Sequence, residues 1–303
     1  MREPLPDERK ISYSQFSMYS SCPKHWELAY AKGLRTFSQS IHTIFGTAFH
    51  ETLQNYLTVM FNESVKKADE IDINKYLKDQ MFTLYKEAVD KMGDHFSNKF
   101  ELGEFYEDGV AILDWFKKKR GQYFSSRNEE LIGIEVPIYH PVNENNDKVM
   151  MLGYLDIVIR DKRDNKITII DIKTSTMGWN KYQKADKTKT SQLVLYKKYF
   201  AEQYGYDVEN IDVKYMIVKR KLIEGAMFPQ KRITDFMPAS GKPTRNKLTT
   251  EITGFVDSAF HKDGTFNLDR KYPAIAGKNN KHCKWCEFKD QPDMCPKQER
   301  IKE

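Results

Sequence analysis

Two carboxylates and an amine interrupt runs that are otherwise too apolar to hold them. Asp156 stands in GYLDIVI, and Asp171 and Lys173 stand in IIDIKTS. On a β-strand, residues two apart share a face. Asp171 and Lys173 therefore project together, beside Asp156 on a neighbouring strand, with Ile169, Ile170 and Ile172 around them. A carboxylate in such surroundings needs a partner charge or a bound cation. A second carboxylate next door over-fills an Asp–Lys pair with negative charge, which favours a cation. Asp156, Asp171 and the backbone carbonyl of Ile172 make a hard oxygen set suited to Mg²⁺ or Mn²⁺. Such an ion acidifies a bound water and balances charge on a phosphoryl group. Lys173 is placed to orient that water or to stabilise developing charge. The chemistry these residues suit is phosphodiester hydrolysis.

The four cysteines form a second group. Cys283, Cys286 and Cys295 fall within KHCKWCEFKDQPDMCP, and Cys22 stands near the other end of the chain. Disulfides are uncommon in a reducing compartment. Four thiols including a C-x2-C pair, with none left over, read as a metal site holding zinc or an iron–sulfur cluster.

These residues need elements to position them. Apolar residues at helical spacing predict helices over 14–30 (in two pieces, with Pro23 opening the second), 43–61, 73–96, 101–124, 191–204 and 247–261. Gly205 is the expected stop of the fifth. Ile- and Val-rich runs predict strands over 131–140, 149–160, 167–173 and 211–221, with turns at 143–147 and 161–166. The expected fold class is α/β, a mixed central sheet flanked by helices, with residues 63–127 as a helical insertion. His50 lies one turn after Gly46 on the second predicted helix, Glu135 lies in the strand before Asp156, and Gln192 and Tyr196 share one helix face. Lys181, Lys184, Lys187 and Lys189, interleaved with Trp179 and Tyr182, suggest a segment that tracks a nucleic-acid strand by charge and stacking.

Composition sets the bounds. The 303 residues are 40% hydrophobic and 13% aromatic, which excludes a disordered chain, and 30% charged, with no run apolar enough to span a bilayer. The opening MREPLPDERK has no apolar signal core, so the expected location is cytoplasmic, without a membrane partner. The net charge of +6 is compatible with a phosphate-bearing partner.

In order along the chain, these motifs resemble the PD-(D/E)XK nuclease superfamily. Asp156…Asp171-Ile172-Lys173 is similar to its D…(D/E)-x-K core. SYSQFSMYSSCP, GTAFH, GYLD and QLVLY resemble segments of its RecB-type branch, and the cysteine tail resembles its iron–sulfur members, the AddB-like, CRISPR-adaptation and exonuclease V-like nucleases. The resemblance implies one nuclease domain over residues 1–303 with a restriction-endonuclease-like core sheet at 131–221. It also implies that the cysteine-rich tail at 282–296 pairs with Cys22 to form an N- and C-terminal clamp. It implies Asp156, Asp171, Lys173, Gln192 and Tyr196 as catalytic residues, and His50, Asp156, Asp171 and Ile172 as ligands of Mg²⁺ or Mn²⁺. Glu135 is expected to support that site. Cys22, Cys283, Cys286 and Cys295 are the implied ligands of a 4Fe–4S cluster, with Zn²⁺ as the alternative. The implied activity is a DNA exonuclease on single strands or duplex ends, in recombination, repair or phage DNA processing. The alternatives are a structure- or site-specific endonuclease, or a non-catalytic iron–sulfur module that binds DNA beside a helicase. No G-x4-G-K-[ST] motif occurs, so a helicase partner would be another chain.

Overall fold

The computed structural model describes residues 5–302. In chain order its main elements are β1 (Arg9–Ile11), α1 (Tyr13–Ser21), α2 (Pro23–Trp26), α3 (Ile41–Asn62), α4 (Val65–Glu70), α5 (Ile73–Met92) and α6 (Lys99–Lys119). There follow β2 (Glu129–Asn143), β3 (Asn146–Asp161), β4 (Ile167–Ser175), α7 (Lys181–Ala185), α8 (Lys187–Tyr204), β5 (Ile211–Lys219), β6 (Ile233–Phe236) and α9 (Lys242–Ala259). The chain divides into two compact units. One comprises Met1–Thr36, Pro137–Gly153 and Lys242–Glu303, and the other comprises Phe37–Val136 and Tyr154–Gly241. No described helix is long and apolar enough to cross a membrane.

In the second unit the strand order is β3-β4-β5-β6, with β4 antiparallel to β3 and parallel to β5, and β6 antiparallel to β5. The sheet is therefore mixed. Alternation along the strands sorts its side chains. Ile157, Ile159, Ile170, Ile172, Met216 and Val218 join a core with Phe45, Phe49, Leu53, Leu57, Leu77, Ile112 and Phe116 of α3, α5 and α6. Helices α4, α5 and α6 pack on α3. The intervening residues of β4, Asp171 and Lys173, face the other way, and there Tyr215 of β5 donates its hydroxyl hydrogen to the Lys189 carbonyl of α8 at 2.8 Å. Gly205 ends α8 at φ +71°, a left-handed conformation that glycine adopts without a Cβ clash.

The first unit is built around Trp26, which is fully buried. Tyr19, Phe255, Phe260, Phe266 and Tyr272 surround its indole with ring centroids 5.3–5.8 Å away. Edge-on aromatic packing of this kind fixes α2 against α9. Pro23 occupies the first turn of α2, where its missing N–H costs nothing. β1 pairs in parallel with the start of β3, Arg9 opposite Val149 and Ile11 opposite Met151.

The structure corrects the sequence reading in two respects. The sheet gains β1 and β6 beyond the four expected strands. Lys181 and Lys184 lie on α7, held by a capping box in which Asn180 accepts from the Gln183 N–H and the Gln183 side chain accepts from the Asn180 N–H. Lys187 and Lys189 lie in the first turn of α8, which starts four residues before the expected 191.

Candidate active site and cysteine site

The paired part of β3 and β4 ends at Ile157 opposite Ile170. The next residues are Asp156 and Asp171, at the point where the two strands part. Asp156 Oδ2 accepts the Ile172 N–H at 2.7 Å, so one backbone bond orients this carboxylate toward the neighbouring strand. Asp171 is buried, and Lys173 Nζ lies 2.8 Å from its Oδ2. That oxygen nevertheless has no hydrogen bond of good geometry. Among the described residues the Lys173 ammonium is its only charged partner, and a bound cation would share this carboxylate with the lysine.

α3 supplies the next group. His50 Nδ1 stands 3.5 Å from Asp156 Oδ2, too long for a strong hydrogen bond. The helix approaches β4 closely at Gly46, where an added Cβ would sit 3.3 Å from Thr174 Oγ1. Gln54, a turn beyond His50, donates to Glu135 Oε1 at 2.6 Å and to the Asp156 carbonyl at 3.2 Å. Glu135 reaches it from a backbone with φ +49°, a left-handed conformation unusual for a glutamate within a strand. The sequence reading missed Gln54. Its spacing, four residues after His50 as His50 is four after Gly46, was the available signal.

α8 closes the other side. Lys173 Nζ donates to Gln192 Oε1 at 3.3 Å, and Gln192 Nε2 donates to the Tyr196 hydroxyl at 3.3 Å. Gln192 and Tyr196, the first and last residues of QLVLY, thus form a relay ending on Lys173. Trp179 is occupied differently from the expectation. Its ring packs on Tyr215 and Phe236 at 5.0 and 6.2 Å, and Lys189 lies over it. Tyr182 remains exposed.

Burial governs the charges. Desolvation raises the carboxyl groups of both Asp156 and Asp171 to about 6, against the pull of Lys173. Desolvation likewise pushes His50 down to about 4, so its imidazole is neutral at pH 7 and has a lone pair to offer. Burial of Lys173 disfavours its charge, but Asp171 and Asp156 outweigh that effect and hold the ammonium above its ordinary range. His50, Glu135, Ile172 and Lys173 line an open cleft of about 500 Å³, together with Gly46, Gln54 and Thr174. Two carboxylates reluctant to ionise, one of them paired with Lys173, and a neutral imidazole form a donor set that fits a hard divalent cation.

A family model of the PD-(D/E)XK nuclease superfamily matches residues 10–293. The chain belongs to this superfamily. Membership implies a metal-dependent nuclease with DNA as its substrate and Mg²⁺ or Mn²⁺ as its metal, on a mixed α/β core of the kind described above. No curated protein matches the chain.

The cysteines lie in the other unit. Cys22, Cys283, Cys286 and Cys295 line one small cavity with His25 and His282. Cys22 Sγ accepts the Ile275 N–H at 3.3 Å. Burial pushes the Cys286 thiol up to about 11, with the Glu287 carboxylate adding to the rise. Burial raises the Cys22 thiol as well, and buried thiols of this kind fit a site where a cation compensates the thiolates. The ligand atoms of His25, Cys286 and Glu287 also lie within 4.8 Å of one another, with His25 Nε2 2.9 Å from Glu287 Oε2.

Proposed function

We propose that this chain is a RecB-type deoxyribonuclease, an exonuclease acting on single-stranded DNA or duplex ends with Mg²⁺ or Mn²⁺. The observation that carries the reading is the meeting of His50, Asp156, Asp171, Lys173 and Gln192 from four elements at the parting of β3 and β4. Asp156, Asp171, the Ile172 carbonyl and His50 would hold the metal, which when bound polarises the scissile phosphate and acidifies an attacking water. Lys173, gripped between Asp171 and Gln192, stabilises negative charge that grows on the phosphate. Tyr196 keeps the Gln192 amide turned so that its oxygen faces the lysine. Glu135 and Gln54 brace Asp156 from the α3 side.

In the cysteine site we assign a 4Fe–4S cluster that serves architecture, since hydrolysis moves no electrons. Tetrahedral zinc, with Zn–S bonds of ~2.3 Å, draws its sulfurs to within about 4 Å of one another. Among the described residues the donors of His25, Cys286 and Glu287 converge to within 4.8 Å, a mixed set zinc would also accept. The cluster therefore rests on the resemblance of the cysteine tail to the iron–sulfur members, with Zn²⁺ as the alternative.

The test uses linear single strands labelled at either end, labelled duplexes and circular single strands, with Mg²⁺ or Mn²⁺. An exonuclease degrades the linear strands and spares the circles, and cut circles would replace this reading with an endonuclease. A folded wild type that cleaves none of them would leave only a DNA-binding module. Asp171→Asn should lower cleavage about 100- to 1,000-fold, since it removes charge that acts in the transition state. A rate equal to wild type would show that the site has been misplaced.

A further inference from the structure

The cleft does not end at Lys173. His42, Thr43 and Thr174 also line a second recess of about 220 Å³, with Phe45, Phe105, Ser175, Thr176 and Arg220 as its other walls. Its polar lining consists of four hydroxyls, one imidazole and one guanidinium, and includes no carboxylate. We infer that this recess holds the backbone phosphate one nucleotide away from the bond being cut, through Arg220 and Thr176; the Ser175 hydroxyl is spent on the Gly178 carbonyl at 3.2 Å. The inference rests on the nuclease reading above.

Arg220 is held in place by its surroundings. It is buried, and its guanidinium lies 3.6 Å from the centroid of the Phe105 ring. Nη1 donates to Asp108 at 2.6 Å and approaches Glu104 at 3.5 Å. Among the described residues no contact engages Nε or Nη2, so donors remain for an anion. A planar fork already immobilised loses little entropy when it binds a phosphate oxygen. The two α6 carboxylates do not oppose an anion by net charge. Lys221 joins Arg220 against them, 2.8 Å from Glu104 and 3.0 Å from Asp108.

The backbone fixes where this fork sits. The Arg220 N–H donates to the Ser175 carbonyl at 2.9 Å, directly after the last β4–β5 pair, Ser175 opposite Lys219. Thr174, next to Lys173 on β4, lines both the cleft and the recess, so the two adjoin, and Ser175 at the far wall lies about 6.6 Å beyond Lys173 along the strand. That displacement is the scale of one nucleotide step. A DNA strand whose scissile phosphate meets Lys173 thus presents its neighbouring phosphate to the Thr176 hydroxyl and the fork.

The test is single-turnover cleavage of short single strands carrying one methylphosphonate, which removes the charge of a chosen phosphate. For wild type, neutralising the phosphate on one side of the cut bond should weaken binding about tenfold, the scale of one charge-assisted hydrogen bond, while a remote methylphosphonate changes nothing. Arg220→Gln should bind the unmodified strand about tenfold more weakly and lose its sensitivity to that methylphosphonate. Because Arg220 is buried and could prove necessary for folding, Thr176→Glu at an exposed position gives an independent arm. It should weaken binding of the unmodified strand and regain binding with the methylphosphonate strand. The inference is overturned if wild type responds equally to flanking and remote positions, or if either variant keeps the wild-type pattern. It is also overturned if removing the neighbouring base, rather than the phosphate charge, is what weakens binding. A folded wild type that cleaves no unmodified strand overturns the nuclease reading instead, and this inference with it.

Discussion

The acid–base state of the site gives a prediction with a definite sign. Asp156 and Asp171 hold their protons up to about pH 6, whereas His50 is already neutral above about pH 4. A divalent metal needs all three unprotonated. The carboxylates, not the imidazole, therefore limit its binding, and affinity should rise as pH passes upward through about 6. In the metal-free protein the sign is opposite. A carboxyl whose folded value is raised contributes stability below its unfolded value near 4 and loses it as pH rises through 6. Thermal melts with and without Mg²⁺ or Mn²⁺ should show a small metal-dependent gain at pH 5 and a larger one at pH 7.5. A gain that is flat, or that falls with pH, would remove the two aspartates from the metal site. Glu135 provides a second check. Its left-handed backbone costs on the order of 1 kcal/mol, a strain asparagine tolerates better. Glu135→Asn should melt no lower than wild type yet cleave more slowly, because the shorter side chain cannot reach Gln54. Loss of stability with full activity would mean that the strain serves the fold instead.

Two glycines distinguish how the elements serve the site. At Gly109 on α6, an added Cβ would meet Leu77 Cδ2 at 2.5 Å and Phe45 Cε2 at 3.1 Å, inside the helical layer. Gly109→Ala should cost about 1–3 kcal/mol by overpacking and leave the rate per folded molecule unchanged. Gly46→Val instead wedges α3 away from Thr174, so it should lower cleavage more than melting temperature. Measuring rate and melting together for both variants separates the two effects. The elements themselves were largely readable from the sequence. The long helices and the strands around Asp156 and Asp171 carry local periodicity, and Pro23 and Gly205 end or open helices as their backbones require. What escaped was non-local. β1 is three residues, two of them charged, and exists because Val149–Met151 offer it a parallel edge. β6 is four residues paired to β5. The site divides in the same way. Asp156, Asp171, Lys173, Gln192 and Tyr196 share motifs, but the Gln54–Glu135 contact and the aim of Arg220 depend on which helix lies against which strand.

The molecule as a whole carries two metal-suited sites, one in each compact unit. On the proposed 4Fe–4S assignment, anaerobically purified protein should be brown, and replacing any one of the four cysteines by Ser should abolish that colour and lower the melting temperature, because the unfolded chain has no preformed site and binding such a cluster would contribute to folding. Iron, sulfide and zinc analysis decides the occupant: one zinc without sulfide would replace the cluster. The unit that holds the cysteines is assembled from three stretches of chain, the last beginning at Lys242, while every residue assigned to the nuclease cleft has been made by Gly241. During synthesis the two sites therefore become available in a fixed order. Cys295 follows Gly241 by 54 residues, roughly 3–10 s at translation speeds of about 5–20 residues per second. For those seconds a nascent chain can complete its cutting site while Cys22 still waits for its partners. With the proposed cluster in that site, iron delivery would be a late, post-assembly event, and a cell short of iron would accumulate chains whose cleft is built but whose tail is unfastened and open to proteases.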